Sequence, residues 1–378
     1  MKILILTGHF YPELHPRSFR ANELACEMSR IGHRVEVGTL RTINSFNYEN
    51  YEKVNKIKIN KLDLYTQSNN FVVKDSSTGK LFKKFNNLFR FLLDYFIGGM
   101  LFINAYKIKK KILLDDYDLV ISLSTPFMNL LAISLIKKKS NSKTILVADS
   151  GDPFFRSQQT KRAPYFYFLE KYVYDKFDYL TIPDIAVKVA YDGLISIEKI
   201  KIIPQGFRMD NVKLGIVPMT EVVSFAYCGV FYLDIRNPTF LLDKLTELDA
   251  SFRFDIYLRE KNSIVTNVLE KYKLLLGSKL NIIYGIERNE LLYRLSSVNF
   301  LVNIENLTTT QIPSKLIDYA ITGRPIFSCS SVNFSEIKLQ RFFDKDYSEA
   351  LVLDKERYNI KHIANQFLSL HPNKNNNE

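Results

Sequence analysis

Short runs of isoleucine, leucine and valine alternate with helical stretches along most of the 378 residues, and this alternation constrains the fold more than any other feature. Parallel β-sheets covered by helices on both faces produce such a pattern, because their strands are buried on both sides. The sequence therefore predicts an α/β fold. In the first half the predicted strands are residues 2–7, 34–37, 57–62, 119–122, 144–147, 179–182 and 200–203.

A second series of predicted strands follows an interruption at Pro204-Gln205-Gly206. Its members are residues 222–227, 254–258, 282–284, 300–303 and 326–328. A chain of this length can bury two apolar cores. We predict two Rossmann-like domains that face each other across a cleft. Their predicted bounds are 1–205 and 206–355, with a helix at 356–370 packing back on the first domain and a disordered tail at 371–378.

Composition narrows the function classes. The net charge of +12 favours an anionic partner, either nucleic acid, a membrane surface or a phosphorylated substrate. No recognised nucleic-acid-binding motif occurs in the sequence, and neither GxGxxG nor GxxxxGK[ST] is present, which argues against a dehydrogenase and a P-loop enzyme.

The spacing of Cys26, Cys228 and Cys329 supports neither a disulfide framework nor a zinc site. The apolar run after Met1 is too short for a signal peptide, so we expect a cytoplasmic protein.

Residues 80–114 form a basic amphipathic region. Its apolar segments, interrupted by Asp94, fall short of the ~20 residues that span a bilayer. The flanking basic residues are Lys83, Lys84, Arg90, Lys107, Lys109, Lys110 and Lys111. This composition suits an interfacial helix on anionic lipid. A helix buried against the domain, with a solvated basic edge, is the alternative.

The most informative segment is the helix predicted to begin at Pro313-Ser314-Lys315 and to end at Gly323. Proline suits the first helical turn and glycine ends helices. The free amides of a helix start at the carboxyl end of a strand attract phosphate, and Lys315 adds a positive charge. Asp318, one turn later, can accept hydrogen bonds from ribose hydroxyls. An ordinary capped amphipathic helix would show the same pattern, so both interpretations stay open.

Residues 312–325 resemble the donor-site signature of GT-B glycosyltransferases of family 4, the large retaining group. Further stretches resemble the same family in the same order, namely residues 2–40, 199–207, 225–229, 283–285 and 290–295. The resemblance thus covers nearly the whole chain. It implies transfer of a sugar from a nucleoside diphosphate sugar, with retention and without a metal ion or other cofactor. Within the family it is greatest to bacterial enzymes of surface polysaccharide, O-antigen and lipopolysaccharide synthesis, so we expect a saccharide acceptor carried on a lipid.

The resemblance implies a donor site that includes Arg236, Thr310, Pro313, Ser314, Lys315 and Asp318. The positions after predicted strands add Gly229 and, as a weaker candidate, Arg259. Asp318 takes the place of the second glutamate of the family's paired-glutamate motif, which binds ribose. Thr310 stands where the first glutamate is usual, and this departure leaves the sugar contact open. Arg236 matches a basic residue that neutralises the leaving diphosphate, a role that suits a permanently charged guanidinium.

On the acceptor side, Asp149 and Asp152 follow a predicted strand at its carboxyl end. Two carboxylates there can act as catalytic groups that orient an acceptor hydroxyl. An Asp-rich turn whose side chains cap their own backbone is the alternative.

The first loop offers His9, Arg17 and Arg20 for contacts with the acceptor or with donor phosphates. Arg20 can instead pair with Glu23 or Glu27 along its own helix.

We expect the partners to be a nucleotide sugar, the acceptor and an anionic membrane, and we expect no nucleic acid. The expected location is the inner face of the cytoplasmic membrane. A sugar-nucleotide epimerase and a non-catalytic membrane scaffold are the rival functions.

Overall fold

The computed structural model describes residues 1–13, 15–64, 91–137, 143–157, 160–210, 212–234, 236–305 and 315–372. The chain forms two compact units, of which the first comprises Met1–Arg208 with Arg357–Glu378 and the second comprises Met209–Glu356. The corresponding boundaries proposed from the sequence are residues 206 and 356. Of the predicted tail, residues 373–378 lie outside the described part of the chain.

Seven parallel strands form the sheet of the first unit. They are β1 (Lys2–Thr7), β2 (Arg34–Thr39), β3 (Ile57–Lys61), β4 (Leu119–Leu123), β5 (Ile145–Asp149), β6 (Tyr179–Ile182) and β7 (Ile200–Ile202). Their order in the sheet is β3-β2-β1-β4-β5-β6-β7, so the direction of winding reverses beside β1. Reversal at this point defines a doubly wound sheet. All seven strands predicted from the sequence are confirmed.

Helices cover both faces of this sheet. They are α1 (Pro16–Arg30), α2 (Tyr48–Asn55), α3 (Phe91–Ile97), α4 (Leu101–Lys109), α5 (Met128–Lys137) and α6 (Tyr165–Asp175). Successive side chains of a strand point to opposite faces. Ile3 and Ile5 accordingly lie in one buried cluster with α1, whereas Leu4 and Leu6 lie in another with α4 and α5.

The second unit repeats this architecture with five parallel strands. They are β8 (Val223–Cys228), β9 (Phe252–Leu258), β10 (Leu280–Tyr284), β11 (Phe300–Ile304) and β12 (Ile326–Cys329), in the order β10-β9-β8-β11-β12. Its helices are α7 (Thr239–Glu247), α8 (Ser263–Leu276), α9 (Arg288–Ser296), α10 (Lys315–Thr322) and α11 (Glu336–Phe343). The five predicted strands are confirmed, and with them the α/β class with two Rossmann-like domains.

The last helix, α12 (Ile360–Leu368), belongs to the first unit and packs on α1. Two backbone hydrogen bonds fix its approach, since the Phe207 N–H donates to the Tyr358 carbonyl at 2.9 Å and the Ile360 N–H donates to the Phe207 carbonyl at 3.0 Å. Gly206 lies directly beneath the helix. A Cβ at this position would stand 2.8 Å from Ile360 Cδ1 and about 3 Å from the Ile363 side chain. The close approach of α12 therefore depends on a residue without a side chain.

We expect Gly206→Ala to lower the free energy of unfolding by about 1–3 kcal/mol, because the added methyl group overpacks against Ile360 and Ile363. Denaturant titration measures the change. Lys361→Ala, on the exposed side of the same helix, serves as the control and should leave the midpoint nearly unchanged. Equal midpoints for Gly206→Ala and Lys361→Ala would contradict the packing described here.

Candidate functional site

In open α/β sheets ligands bind beyond the carboxyl ends of the strands. In the second unit this edge brings together the residues that follow β8, β11 and β12, with the first described turn of α10 beside them. Lys315, Gly229 and Arg236, all expected donor-site residues, lie here. The other three expected at the helix start and the preceding loop, Thr310, Pro313 and Ser314, lie outside the described residues.

Lys315 is the central group of this edge. Its side chain is only 6% exposed, its ammonium donates to the Ile304 carbonyl at 3.3 Å, and it lies 4.3 Å above the Tyr227 ring. Among the described residues no carboxylate lies within salt-bridge distance of Lys315, and the adjoining stretch 306–314 contains no Asp or Glu in its sequence. Burial, together with the neighbouring Arg236 charge, lowers the pKa of Lys315 well below its usual value. A buried ammonium is unfavourable when no carboxylate of the described residues lies close enough to neutralise it.

The chain between β8 and α7 wraps around this lysine. Gly229 has a φ of +141°, which side-chain-bearing residues rarely adopt, and a Cβ there would stand 3.4 Å from the Lys315 side chain. Arg236 donates from Nη1 to the Val230 carbonyl at 3.2 Å, which bends the loop back on itself. Two cations thus occur beside a glycine backbone at the end of one strand. This arrangement is suited to a multiply charged anion.

Asp318, one turn into α10, forms an ion pair that the sequence analysis missed. Both Nε and Nη2 of Arg288 bond to its Oδ1, at 3.1 and 2.7 Å. Burial raises the pKa of Asp318, and the Arg288 charge acts in the opposite direction. Arg288 starts α9, immediately after the carboxyl end of β10, and this position was the available signal. The pair leaves Oδ2 without a partner among the described residues, so Asp318 retains an acceptor.

A cavity of about 170 Å³ opens next to Ile304, at the ends of β11 and β12. Asn237 and Thr239 from the start of α7 line it, and Glu305 supplies a carboxylate. Glu305 is held in place, since its Oε1 accepts from Ser328 Oγ at 2.7 Å and its Oε2 accepts from Asn333 Nδ2 at 3.0 Å. Glu305 follows the predicted strand 300–303 and was not among the site residues expected from the sequence. Arg259, by contrast, is exposed, and no described contact joins it to Lys315.

In the first unit, Asp149 and Arg20 are bound to each other. Arg20 donates from Nε and Nη2 to the two Asp149 oxygens at 2.6 and 2.7 Å, and Thr181 Oγ1 donates to Oδ1 at 2.7 Å. Although burial alone would raise it, the Arg20 charge holds the pKa of Asp149 below its usual value. The alternative pairing of Arg20 with Glu23 or Glu27 is wrong, because the guanidinium turns inward to β5. With 1% and 2% exposure, Asp149 and Arg20 position the strand ends and do not reach solvent.

The loop after β5 carries Asp152, which is exposed. Glu170 of α6 anchors this loop, because its carboxylate accepts the backbone N–H groups of Phe154 and Phe155 at 2.6 and 2.8 Å. Burial raises the pKa of Glu170. Arg17 packs against Gly151, where a Cβ would stand 2.1 Å from its guanidinium. Arg17 and Asp152 therefore lie at one edge, and the buried Glu170 is a support that the sequence analysis missed.

His9 lies in the loop after β1. Its Nδ1 is 2.9 Å from Glu13 Oε2, and its ring stacks on that of His15 at 4.0 Å. The imidazole is thus held by neighbours within its own loop. This geometry fixes the ring in orientation and leaves it partly exposed.

No protein-family model matches the sequence, and no curated protein matches it. Solved structures share its fold. A glycosyltransferase from Rickettsia africae is 12% identical with a TM-score of 0.65, and the match covers 100% of this chain and 99% of that one. Anabaena HepE in complex with UDP-glucose is 11% identical, with a TM-score of 0.58 and 98% of each chain covered.

The apo form of the lipopolysaccharide outer core galactosyltransferase WaaB is 14% identical, with a TM-score of 0.54, and the match covers 100% of this chain and 98% of that one. Similarity at such identities describes the backbone and not the chemistry. The chain therefore has the two-domain, Rossmann-like GT-B fold.

We expect Asp149→Asn to lower the free energy of unfolding at neutral pH by about 3–5 kcal/mol, because the buried Arg20 charge loses its partner. The Asp149 carboxyl has a lowered pKa in the native state. Its contribution to the free energy of unfolding is therefore present at pH values above the ordinary aspartate pKa, near 3.8, and is lost as the pH falls below that value. Denaturant titrations of both proteins across acidic pH measure this difference. Asp152→Asn is the matched control on the same loop, and a loss as large as that of Asp149→Asn would contradict the buried-pair assignment.

Proposed function

We propose that the protein is a glycosyltransferase that moves a sugar from a nucleoside diphosphate sugar to a saccharide acceptor, without a metal ion or other cofactor and with retention of configuration. The observation that carries this proposal is the buried ammonium of Lys315 at the carboxyl edge of the second sheet, where no carboxylate of the described residues lies within salt-bridge distance. An ammonium in that position gains most from an anion that brings its own negative charge into the site.

The diphosphate binds Lys315 and Arg236, next to the Gly229 backbone. Both cations belong to the second unit, and Gly229 lets the chain approach a phosphate closely. The sequence predicts that the backbone N–H groups of Ser314 and Lys315 are the free amides of the helix start, next to Pro313, which has no N–H to donate. When the bond between sugar and diphosphate breaks, negative charge develops on the departing phosphate oxygen. The fixed guanidinium of Arg236 stabilises that charge without having to titrate.

The remaining parts of the donor follow from this placement. Asp318 accepts hydrogen bonds from the ribose through Oδ2, while Arg288 holds its Oδ1. The transferred sugar occupies the cavity beside Ile304, whose carbonyl also contacts Lys315. There the oriented carboxylate of Glu305 accepts hydrogen bonds from sugar hydroxyls, which compensates for Thr310 at the position where the family usually has a glutamate. Arg259 remains a peripheral donor-site candidate.

On the first unit, Asp152 is the carboxylate that orients the acceptor hydroxyl, and Arg17 and His9 contact the acceptor. Asp149 and Arg20 act through this edge by holding the ends of β5 and β7 in place. WaaB acts in the lipopolysaccharide outer core and HepE binds UDP-glucose, so a UDP-sugar and a surface-polysaccharide acceptor are the first substrates to test. We propose that the acceptor is lipid-linked and that the protein acts at the inner face of the cytoplasmic membrane.

Lys315→Met separates a ligand-binding role from a structural one. We expect UDP affinity to fall about 10- to 100-fold in calorimetry, since one charge-assisted contact is lost. We also expect the unliganded variant to be at least as stable as the wild type, because it removes a buried charge that no described carboxylate neutralises. The lowered native pKa of Lys315 means that unfolded protein binds more protons below the ordinary lysine value, near 10.5. Wild-type stability relative to the variant should therefore rise with pH in that window.

Lys338→Met is the matched control, since Lys338 also lies over an aromatic ring, that of Phe327 at 5.7 Å. It should retain UDP affinity. If Lys315→Met kept full UDP affinity while losing stability, the diphosphate site would have to be moved elsewhere.

The reaction itself is tested by donor turnover. We expect UDP release from a UDP-sugar to depend on added acceptor, with the anomeric configuration retained in the product by NMR. Glu305→Gln should weaken binding of the intact UDP-sugar about tenfold and leave UDP binding unchanged, because the carboxylate contacts only the sugar. Conversion of the donor sugar to its epimer in the absence of acceptor would refute the transferase and support the rival epimerase. UDP-sugar binding without any turnover would favour a scaffold.

A further inference from the structure

The first unit carries a group of exposed apolar side chains on α3, α4 and the start of α6. We call these exposed side chains the apolar surface; they are Phe91, Leu92, Phe96, Ile97, Met100, Phe102, Ile103, Tyr106, Tyr165 and Phe168. The seven residues on α3 and α4, and Met100 between the two helices, are each 41–54% exposed. Single exposed apolar residues are ordinary in soluble proteins, whereas contiguous groups of this size mark contact surfaces.

Helix α4 shows that this surface is separate from the side of the helix that packs into the core of the first unit. Its inner side chains Leu101, Ala105 and Ile108 are buried in the core of the first unit. Its outer side chains Phe102, Ile103 and Tyr106 are apolar as well, although a helix at the surface ordinarily presents polar residues to water. The helix is therefore apolar on both faces, and one of them faces solvent.

A second segment of the chain extends the apolar surface. The Ala163 N–H donates to the Tyr95 carbonyl at 3.0 Å, and Phe166 is fully buried beside Gly98, so the start of α6 is fixed against α3. Tyr165 and Phe168, which are 44% and 69% exposed, continue the surface from there. The residues 163–168 were not part of the amphipathic region defined from the sequence.

Basic side chains border the apolar surface. Lys107 and Lys110 are exposed at the carboxyl end of α4, and the Lys110 ammonium lies 4.7 Å above the Tyr106 ring. Lys161 and Lys171 are exposed on either side of the α6 residues. Asp94 lies within the surface, but it is close enough to the Arg162 guanidinium for their charges to interact. Apolar side chains with a cationic border match a bilayer leaflet with anionic headgroups.

We infer that this surface docks into one leaflet of an anionic membrane, with the aromatic and aliphatic side chains among the headgroups and upper acyl chains and the lysines at the phosphates. No single helix among the described residues is long and apolar enough to cross a membrane, and only α3 and α4 together, bent by 56°, have the required length and composition. The inner side of α4 is occupied by protein, so the pair lies in the plane of the interface. The inference that this surface gives access to a lipid-linked acceptor rests on the proposed function. The inference that the surface binds a membrane does not.

The test is flotation of the full chain with vesicles of phosphatidylcholine alone and with about one third phosphatidylglycerol, at low and high salt. We expect binding to the anionic vesicles that weakens with salt. Phe96→Ser with Ile103→Ser should reduce vesicle binding at least about tenfold, because two apolar side chains that insert into the lipid are lost. Lys107→Glu with Lys110→Glu should remove the preference for anionic lipid.

Val332→Ser with Ile337→Ser is the matched control, since these side chains are 84% and 72% exposed on the second unit. It should bind vesicles as the wild type does. The inference is overturned if the wild type does not float, if both serine pairs behave alike, or if alkaline carbonate fails to extract the bound protein, which would indicate a spanning segment. A dimeric wild type would also overturn the inference if Phe96→Ser with Ile103→Ser made the protein monomeric. A second copy of the chain would then cover the apolar surface.

UDP affinity and turnover of a water-soluble acceptor provide the separate readout for the proposed function. Both should be unchanged in Phe96→Ser with Ile103→Ser, since neither residue is among the proposed donor or acceptor residues. Loss of vesicle binding with normal turnover, and normal vesicle binding without turnover, thus identify which of the two proposals fails.

Discussion

The ion pair between Arg20 and Asp149 is the interaction on which the first unit depends. One guanidinium on α1 reaches the carboxylate at the end of β5 and the carbonyls of Ile203 and Pro204 beyond β7, at 2.6–3.0 Å. It thereby joins a helix to two strands that lie 129 and more residues away in sequence. Neither charge tolerates burial alone, so the three elements must be assembled together. The Phe367 ring of α12, 5.4 Å from the same guanidinium, places the returning C-terminal helix on this junction.

The second unit has a buried cation at the equivalent edge of its sheet, but with opposite consequences. Arg20 has its anion built into the fold, and its sheet edge is complete without a ligand. Lys315 has a carbonyl and an aromatic ring as neighbours, which stabilise an ammonium only in part. The same architecture therefore contains a neutralised buried ion pair in one unit and, in the other, a buried cation that an anionic ligand would stabilise. The absence of a carboxylate around Lys315, among the described residues, is what turns a sheet edge into a candidate anion site.

Periodicity made the strands predictable, since a strand buried on both faces must be apolar along its whole length. The partners of the polar groups were not predictable in this way. Arg20 has glutamates on its own helix at plausible spacing, and only the folded sheet shows that Asp149 is nearer. Arg288 and Asp318 are 30 residues apart on different helices, and the position of each beside a strand end was the sole indication. Glu305 follows the predicted strand 300–303, but its orientation depends on Ser328 and Asn333 from the neighbouring strand and its loop, which the sequence does not reveal.

Helix α4 shows the same limit for apolar residues. Its sequence is apolar on nearly every side, which is the pattern of a helix enclosed by protein or lipid. Burial against the domain and contact with a membrane were therefore alternatives at the level of sequence. The doubly wound topology makes them compatible, because a helix in the outer layer of such a sheet has one side on the strands and one side away from them. Leu101 and Ile108 are buried on the side of the strands, and Phe102 and Ile103 are exposed on the other side of the helix.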